Sequence, residues 1–273
     1  MPYADRGAGA LYYETLGDRG LPRVVIARGL ARSSRYWLGF AELMAERFHV
    51  LAFDNRGIGR SYVPRGPYST RAMADDVACV MDAAGFEDAH YFGLSLAGMI
   101  GQWFGIRHPE RVRSLALGCT TAFGRVGVPW GVKLEILRSA RLPFDQAQRV
   151  TAGLTLSEAF VADRPDVLEK WHQLALEEPP ARQGLVGQGC AALFHDARRE
   201  LGRLQASTLL ITGDRDRLIP PRCSYDLLRR IPNVRLRILP GVGHDFATEQ
   251  PQETAEILGD FFLREEASRG GES

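Results

Sequence analysis

The chain is short of lysine, has no clustered cysteine and contains no long apolar run, and each shortage removes a class of protein. Of the 34 basic residues only Lys133 and Lys170 are lysines. No stretch gathers Lys and Arg into a patch, and the formal net charge is +1, so nothing points to nucleic acid or to an anionic membrane surface. The lysine shortage fits the codon bias of a GC-rich genome and carries no mechanism. Cys79, Cys119, Cys190 and Cys223 are widely spaced, with no C-x-x-C pair and no histidine at metal-type spacing, which predicts free thiols, no disulfide framework and no metal site. No window approaches the roughly 18 consecutive apolar residues of a membrane span. The start, Met1-Pro2-Tyr3-Ala4-Asp5-Arg6, lacks the apolar core of a secretory leader. The expectation is a cytoplasmic protein, monomer or homodimer, that acts on a small molecule and binds neither nucleic acid nor membrane.

What is present is an ordinary globular balance, 45% hydrophobic and 25% charged over 273 residues, enough for a single large core with a sizeable insertion. Strand-sized apolar runs recur at 11–13, 24–26, 50–53, 91–92, 115–117, 209–211 and 236–239. Amphipathic helical stretches at 36–46, 71–84 and 96–108 lie between them. That alternation predicts an α/β fold with a mainly parallel sheet flanked by helices. After Gly118 the rhythm breaks. Residues 121–204 read as successive helices (133–139, 144–152, 166–176, 187–194) punctuated by Pro129, Pro143, Pro165 and Pro179-Pro180, which predicts a helical cap inserted into the sheet domain. The core is then 1–120 with 205–265, and the polar, glycine-rich 266–273 reads as a flexible tail.

Gly93-Leu94-Ser95-Leu96-Ala97-Gly98 places a serine between a strand and a helix, the context of a nucleophile elbow, with Ala97 where glycine is usual. Small residues on both sides are needed there so that strand and helix pack closely. A G-x-S-x-A run alone is weak, since a plain β-to-α turn uses the same residues. Chain order strengthens it. Asp216, in Thr212-Gly213-Asp214-Arg215-Asp216-Arg217-Leu218-Ile219-Pro220, follows one predicted strand, and His244, in Gly241-Val242-Gly243-His244-Asp245, follows the next. Nucleophile, acid and base thus occur in the order that such enzymes use. Asp214 competes with Asp216, which is preferred because it lies farther along the loop. His172 and His195, in the insertion, read as helix-surface residues. The oxyanion donors expected are the amides of Leu96 and of Leu30, in the loop Arg28-Gly29-Leu30-Ala31-Arg32. Asp54-Asn55-Arg56-Gly57-Ile58-Gly59-Arg60-Ser61 lacks the third glycine of a dinucleotide site and reads as a turn buttressing the site loops.

From about residue 12 to 263 the sequence resembles the α/β-hydrolase superfamily. Residues 93–103 look like the elbow and helix of 3-oxoadipate enol-lactonases and related esterases, as do the 54–61 turn and the Gly243-His244 loop. The resemblance implies a Ser95-Asp216-His244 triad, no cofactor, a helical cap over the site, and cleavage of a small carboxylic ester or lactone through an acyl-enzyme. Two other outcomes stay open: a non-hydrolytic or carbon–carbon-bond-cleaving reaction on the same triad, and a ligand-binding receptor that keeps the fold. Arg28 stands where many relatives carry histidine or a small polar residue. Its guanidinium is a candidate to bind a substrate carboxylate beside Gly29, against a structural salt bridge. Trp130, Trp171, Phe144, Phe160 and Phe194 are candidates to line an apolar pocket, Trp130 and Trp171 foremost, but aromatics at helical spacing also build helical cores.

Overall fold

The computed structural model describes residues 2–139 and 141–270. Its strands are β1 (Tyr3–Asp5), β2 (Ala10–Leu16), β3 (Arg23–Ala27), β4 (His49–Phe53), β5 (Ala89–Leu94), β6 (Val112–Gly118), β7 (Thr208–Gly213) and β8 (Val234–Leu239). Among the described residues they form one sheet in the order β1-β2-β4-β3-β5-β6-β7-β8. The β1–β2 and β2–β4 pairs are antiparallel, and every other pair is parallel. β5 and β7 are buried along their whole length, as continuous apolar runs between two helical layers should be. At the edge, β8 alternates exposed Arg235 and Arg237 with half-buried Leu236 and Ile238, a charged border that discourages further pairing.

The helices of the sheet domain are α1 (Phe40–Ala45), α2 (Thr70–Ala84) and α3 (Leu96–Arg107). The predicted helix over 36–46 is in fact two pieces: a 3-10 turn at Ser34–Trp37, then α1. Leu38 (φ 49°) and Gly39 (φ 91°) lie in the left-handed region between them, which no helix can pass through. α2 opens on the Ser69 hydroxyl, which accepts from the Ala72 amide, and stops at Gly85 in a left-handed cap. α3 is apolar all round because it is buried all round, against β5, β6 and α2. The core is accordingly two clusters, one under α2 and α3 and one under α1 and the C-terminal helix.

Between β6 and β7 lie α4 (Gly124–Gly127), α5 (Trp130–Ser139), α6 (Phe144–Thr155), α7 (Glu158–Asp163), α8 (Pro165–Glu177) and α9 (Arg182–Leu193). They carry a small core of their own, in which Tyr36 of the sheet domain packs with Ala152, Leu156, Val167, Trp171 and Leu174. After β7 come α10 (Arg222–Leu228), α11 (Phe246–Glu249) and α12 (Pro251–Gly270). The tail expected from 266 is corrected over 266–270: α12 continues through them, held where Glu266 accepts from Arg113 (2.7 Å) and Arg269 faces Asp88 (3.7 Å). Residues 271–273 lie outside the described residues. No described helix is long and apolar enough to cross a membrane. Cys119 and Cys223 are buried free thiols, whereas Cys79 and Cys190 are half-buried.

His195 is buried, not on a helix surface as expected. It stands at the neck of the insertion, where Phe123 bridges Asp196 and the Gly124 amide donates to the His195 carbonyl. Gln102 Nε2 donates to the Thr121 carbonyl, so its Oε1 faces His195 Nε2, which must donate; Nδ1 then accepts from Thr70 Oγ1 (3.0 Å). Burial pushes its pKa from the ordinary 6.5 down to about 3, and that of buried His90 to about 4. The unfolded chain therefore binds protons that the fold refuses. Stability is complete above about pH 6.5 and falls as pH drops below it, by up to about 1.4 kcal/mol per pH unit for each such histidine. Urea unfolding between pH 7 and 5 should show this slope, and His195→Gln should flatten it; an unchanged slope would exclude His195 as its source.

Candidate active site

β5 ends at Leu94 and α3 begins at Leu96, leaving Ser95 alone at the turn with φ 60° and ψ −115°. A non-glycine residue held in that region is strained, and strain persists only where neighbours enforce it. Here the Ser95 amide donates to the Gly118 carbonyl (2.8 Å), while the Ser95 carbonyl accepts from Thr120 Oγ1 (2.9 Å) and the Met99 amide (3.2 Å). A Cβ on Gly93 would lie 2.4 Å from the Ala97 carbonyl oxygen, so glycine is required where strand and helix touch. Ala97 itself is fully buried, its carbonyl accepts from the Tyr91 hydroxyl (2.8 Å), and its methyl leaves the elbow intact.

Beyond β7, Asp216 Oδ1 accepts from the Leu218 and Ile219 amides, both at 2.8 Å. Its other oxygen, Oδ2, meets His244 Nδ1 at 2.8 Å, and both side chains are buried. With Nδ1 donating to the carboxylate, Nε2 carries the lone pair of a base. Asp214, the competing acid, is exposed and accepts from the Gly241 amide instead (2.7 Å). The His244 loop is fastened by Glu249, which accepts from Gly243, and by the Asp245 amide, which donates to the Thr155 carbonyl of α6.

The loop after β3 approaches Ser95 from the other side. A Cβ on Gly29 would lie 2.9 Å from Ser95 Cβ and 3.5 Å from its Oγ, so this backbone passes directly over the serine and any larger residue would collide with it. The Leu30 backbone follows immediately, and Leu96 opens α3 on the far side. The loop is held by Asn55 Nδ2 donating to the Arg28 carbonyl and by Gln188 of α9, which accepts from the Ala31 amide and donates to the Arg56 carbonyl. The 54–61 turn does buttress it: Asp54 accepts from the Ser34 and Arg60 amides.

Several side chains differ from expectation. Arg28 does not present its guanidinium to a ligand. It is 1% exposed, both terminal nitrogens bond Asp245 (3.1 and 2.5 Å), and Trp37 packs 4.7 Å away, so the salt-bridge reading holds and the substrate-carboxylate reading does not. Burial alone would raise the Asp245 pKa, but Arg28, by charge and hydrogen bond, holds it below the usual carboxylate range. Trp130 is 80% exposed and encloses nothing, and Phe194 is 60% exposed. Trp171 is buried in the core of the inserted helices, edge-on to Tyr36. Phe160 packs against that core, and the Phe144 side chain lies outside the described residues.

Four residues near the site were not singled out from sequence. Cys119, just past β6, places its sulfur within 4.8 Å of ligand atoms on Asp216 and His244. Burial, reinforced by Asp216, pushes its thiol well above the ordinary value, so it stays protonated. Its only sequence signal is its place at a strand end. Asp245, Gln188 and Arg32 gave no local signal, because their partners lie far along the chain. Replacing Asp245 with Asn should leave Arg28 buried without a counter-charge and cost about 3–5 kcal/mol of unfolding free energy. The double change Arg28→Met/Asp245→Leu should recover most of that in a urea titration; a double variant no more stable than Asp245→Asn would mean that the charge pair is not the source.

The comparisons with known proteins agree with this architecture. Residues 22–251 match the family model described as the alpha/beta hydrolase fold. The chain is 33% identical to a putative carbamate hydrolase RutD of Azorhizobium caulinodans, over 94% of this chain and 97% of that one. It is 28% identical to 3-oxoadipate enol-lactonase 2 of Acinetobacter baylyi, with 89% of each covered. Among solved structures, the enol-lactonase from Burkholderia xenovorans superposes with a TM-score of 0.85 at 24% identity, covering 96% of this chain and all of that one. The chain belongs to the alpha/beta-hydrolase family.

Proposed function

We propose that the chain is a serine hydrolase that cleaves a small carboxylic ester or lactone through an acyl-enzyme, with Ser95 as nucleophile, His244 as base and Asp216 as acid. The observation that carries this reading is the strained Ser95 backbone under the Gly29 loop, at the same sheet edge as a buried His244–Asp216 pair. Ser95 Oγ attacks the carbonyl carbon while His244 Nε2 takes its proton. The oxyanion is met by the Leu30 and Leu96 amides, and Asp216 steadies the imidazolium. His244 returns the proton to the leaving oxygen. Water then attacks the acyl carbon, with His244 again as base, and the carboxylic acid leaves. The helices of 121–204 act as the cap over this site.

The RutD relative favours a second substrate, a carbamate, whose carbonyl the same machinery would attack with the nitrogen retained on the acyl group or leaving from it. Aryl esters, enol-lactones and aryl carbamates should be compared on native protein and on Ser95→Ala. The variant should lose turnover about ten-thousand-fold or more while unfolding at the same temperature. A slowly released acyl group should add its mass to native protein and not to Ser95→Ala. Turnover that survives in Ser95→Ala would refute the mechanism, and preference among the three leaving chemistries assigns the substrate.

A further inference from the structure

Arg32 is the cation of this site left without a counter-ion. It makes no salt bridge among the described residues, and its Nη2 is buried with no acceptor. Its guanidinium carbon lies 4.4 Å from the Tyr36 ring centroid and 4.3 Å from that of Trp171, between the loop after β3 and α8. Trp171 Nε1 is also buried with no acceptor. Two unsatisfied N–H donors therefore belong to side chains in contact, and buried donors are normally paired. Ring faces stabilise a cation, and the Tyr36 hydroxyl also favours its charge, but neither gives Nη2 an acceptor, so that edge of the guanidinium is left for a planar oxyanion. Burial pulls the Arg32 pKa below its ordinary value, Tyr36 and Asp245 oppose that shift and Arg28 adds to it, and a bound anion would favour the charged form.

The position is also right for substrate. Arg32 is three residues beyond Gly29, which lies over Ser95, and its charge is felt by Asp245, next to His244. The residue as a whole is half-buried, although its Nη2 is covered. Asp245 is already engaged by both terminal nitrogens of Arg28, so Arg28, Arg32 and Asp245 together leave a single positive charge. That sum fits a monoanion such as a carboxylate and would leave a phosphate dianion in excess.

We propose that Arg32, with the Trp171 indole N–H beside it, receives a carboxylate carried by the substrate, making the preferred ester or lactone an anionic one. This rests on the reading of Ser95 as nucleophile. The test compares mono-4-nitrophenyl succinate, glutarate and adipate with 4-nitrophenyl butyrate, pentanoate and hexanoate, which match them in length without the charge. Native protein should favour the charged member of at least one pair in kcat/KM. Arg32→Gln should lower that charged-to-neutral ratio about ten- to a hundred-fold, with the change mainly in KM, and Arg32→Lys should keep part of it. No preference at any length, or a ratio that Arg32→Gln leaves within twofold of native, would overturn the proposal. If Arg32→Gln does not fold, a ratio in Arg32→Lys equal to native overturns it and a reduced one upholds it. Should native protein turn over none of these esters, the ester-cleaving reading fails separately, and calorimetry with glutarate decides the anion site: binding that Arg32→Gln abolishes upholds it, and no binding overturns it.

Discussion

The buried pair of Arg28 and Asp245 joins residues 217 positions apart and fixes where two loops of the sheet's C-terminal edge meet. One is the loop after β3, whose Gly29 backbone rests on Ser95. The other follows β8 and carries His244. Taking both charges out of water is costly, and the geometry recovers that cost only while the carboxylate and the guanidinium fork stay in register. Small displacements of either loop are therefore resisted steeply. A neutral hydrogen bond at the same place would hold the loops together with far less directional force. Because the pair consumes the charge of Asp245, it also explains why the neighbouring Arg32 is left without a carboxylate of its own.

With the loops so placed, the strain at Ser95 becomes tolerable. A left-handed non-glycine backbone costs of the order of 1–3 kcal/mol. The surrounding contacts hold it: the Ser95 amide is bonded to β6, its carbonyl to Thr120, and the first turn of α3 is tied to β5 through Tyr91 and Ala97. β6 thus acts on the elbow from one side and, through Cys119, lies beside Asp216 on the other. The Ser95 turn and the Asp216–His244 pair are braced by the same strand end, which makes their relative position a property of the sheet rather than of flexible loops.

The strands, the turn at Ser95 and the loop positions of Asp216 and His244 were legible because each rests on local signals: apolar runs of strand length, small residues around Ser95, and glycine-bounded loops after β7 and β8. What could not be read depends on partners distant in sequence. Arg28 looked available because nothing near it in sequence is acidic, and Asp245, although beside His244, gave no sign of facing β3. From sequence His195 reads as a helix-surface residue, but it lies just past α9, where the neck of the insertion folds it against Gln102 and Thr70. Trp130 and Trp171 carry the same local pattern, yet one is 80% exposed and the other is core, since only packing against Tyr36 distinguishes them. The break at Leu38 and Gly39 is a backbone event that periodicity does not register.

The inserted helices are attached to the site loops more directly than their place in the chain suggests. Gln188 of α9 holds the Ala31 amide, and Glu178, just beyond α8, takes the Ser33 hydroxyl. On the other flank, Thr155 of α6 accepts from the Asp245 amide, and Glu249 binds both the Gly243 amide and Ser157, the cap of α7. The loop over Ser95 and the loop that carries His244 are thus bonded to the insertion as well as to each other. A shift of α8 would carry Trp171 and disturb Arg32, whereas Asp216 and Ser95 answer mainly to strand ends. The division follows from what each part is made of. Parallel strand ends fix Ser95 and Asp216, and the helical insertion, with its own small core, acts on the loops between them, so a change in the insertion reaches Arg32 and the His244 loop before it reaches the strands.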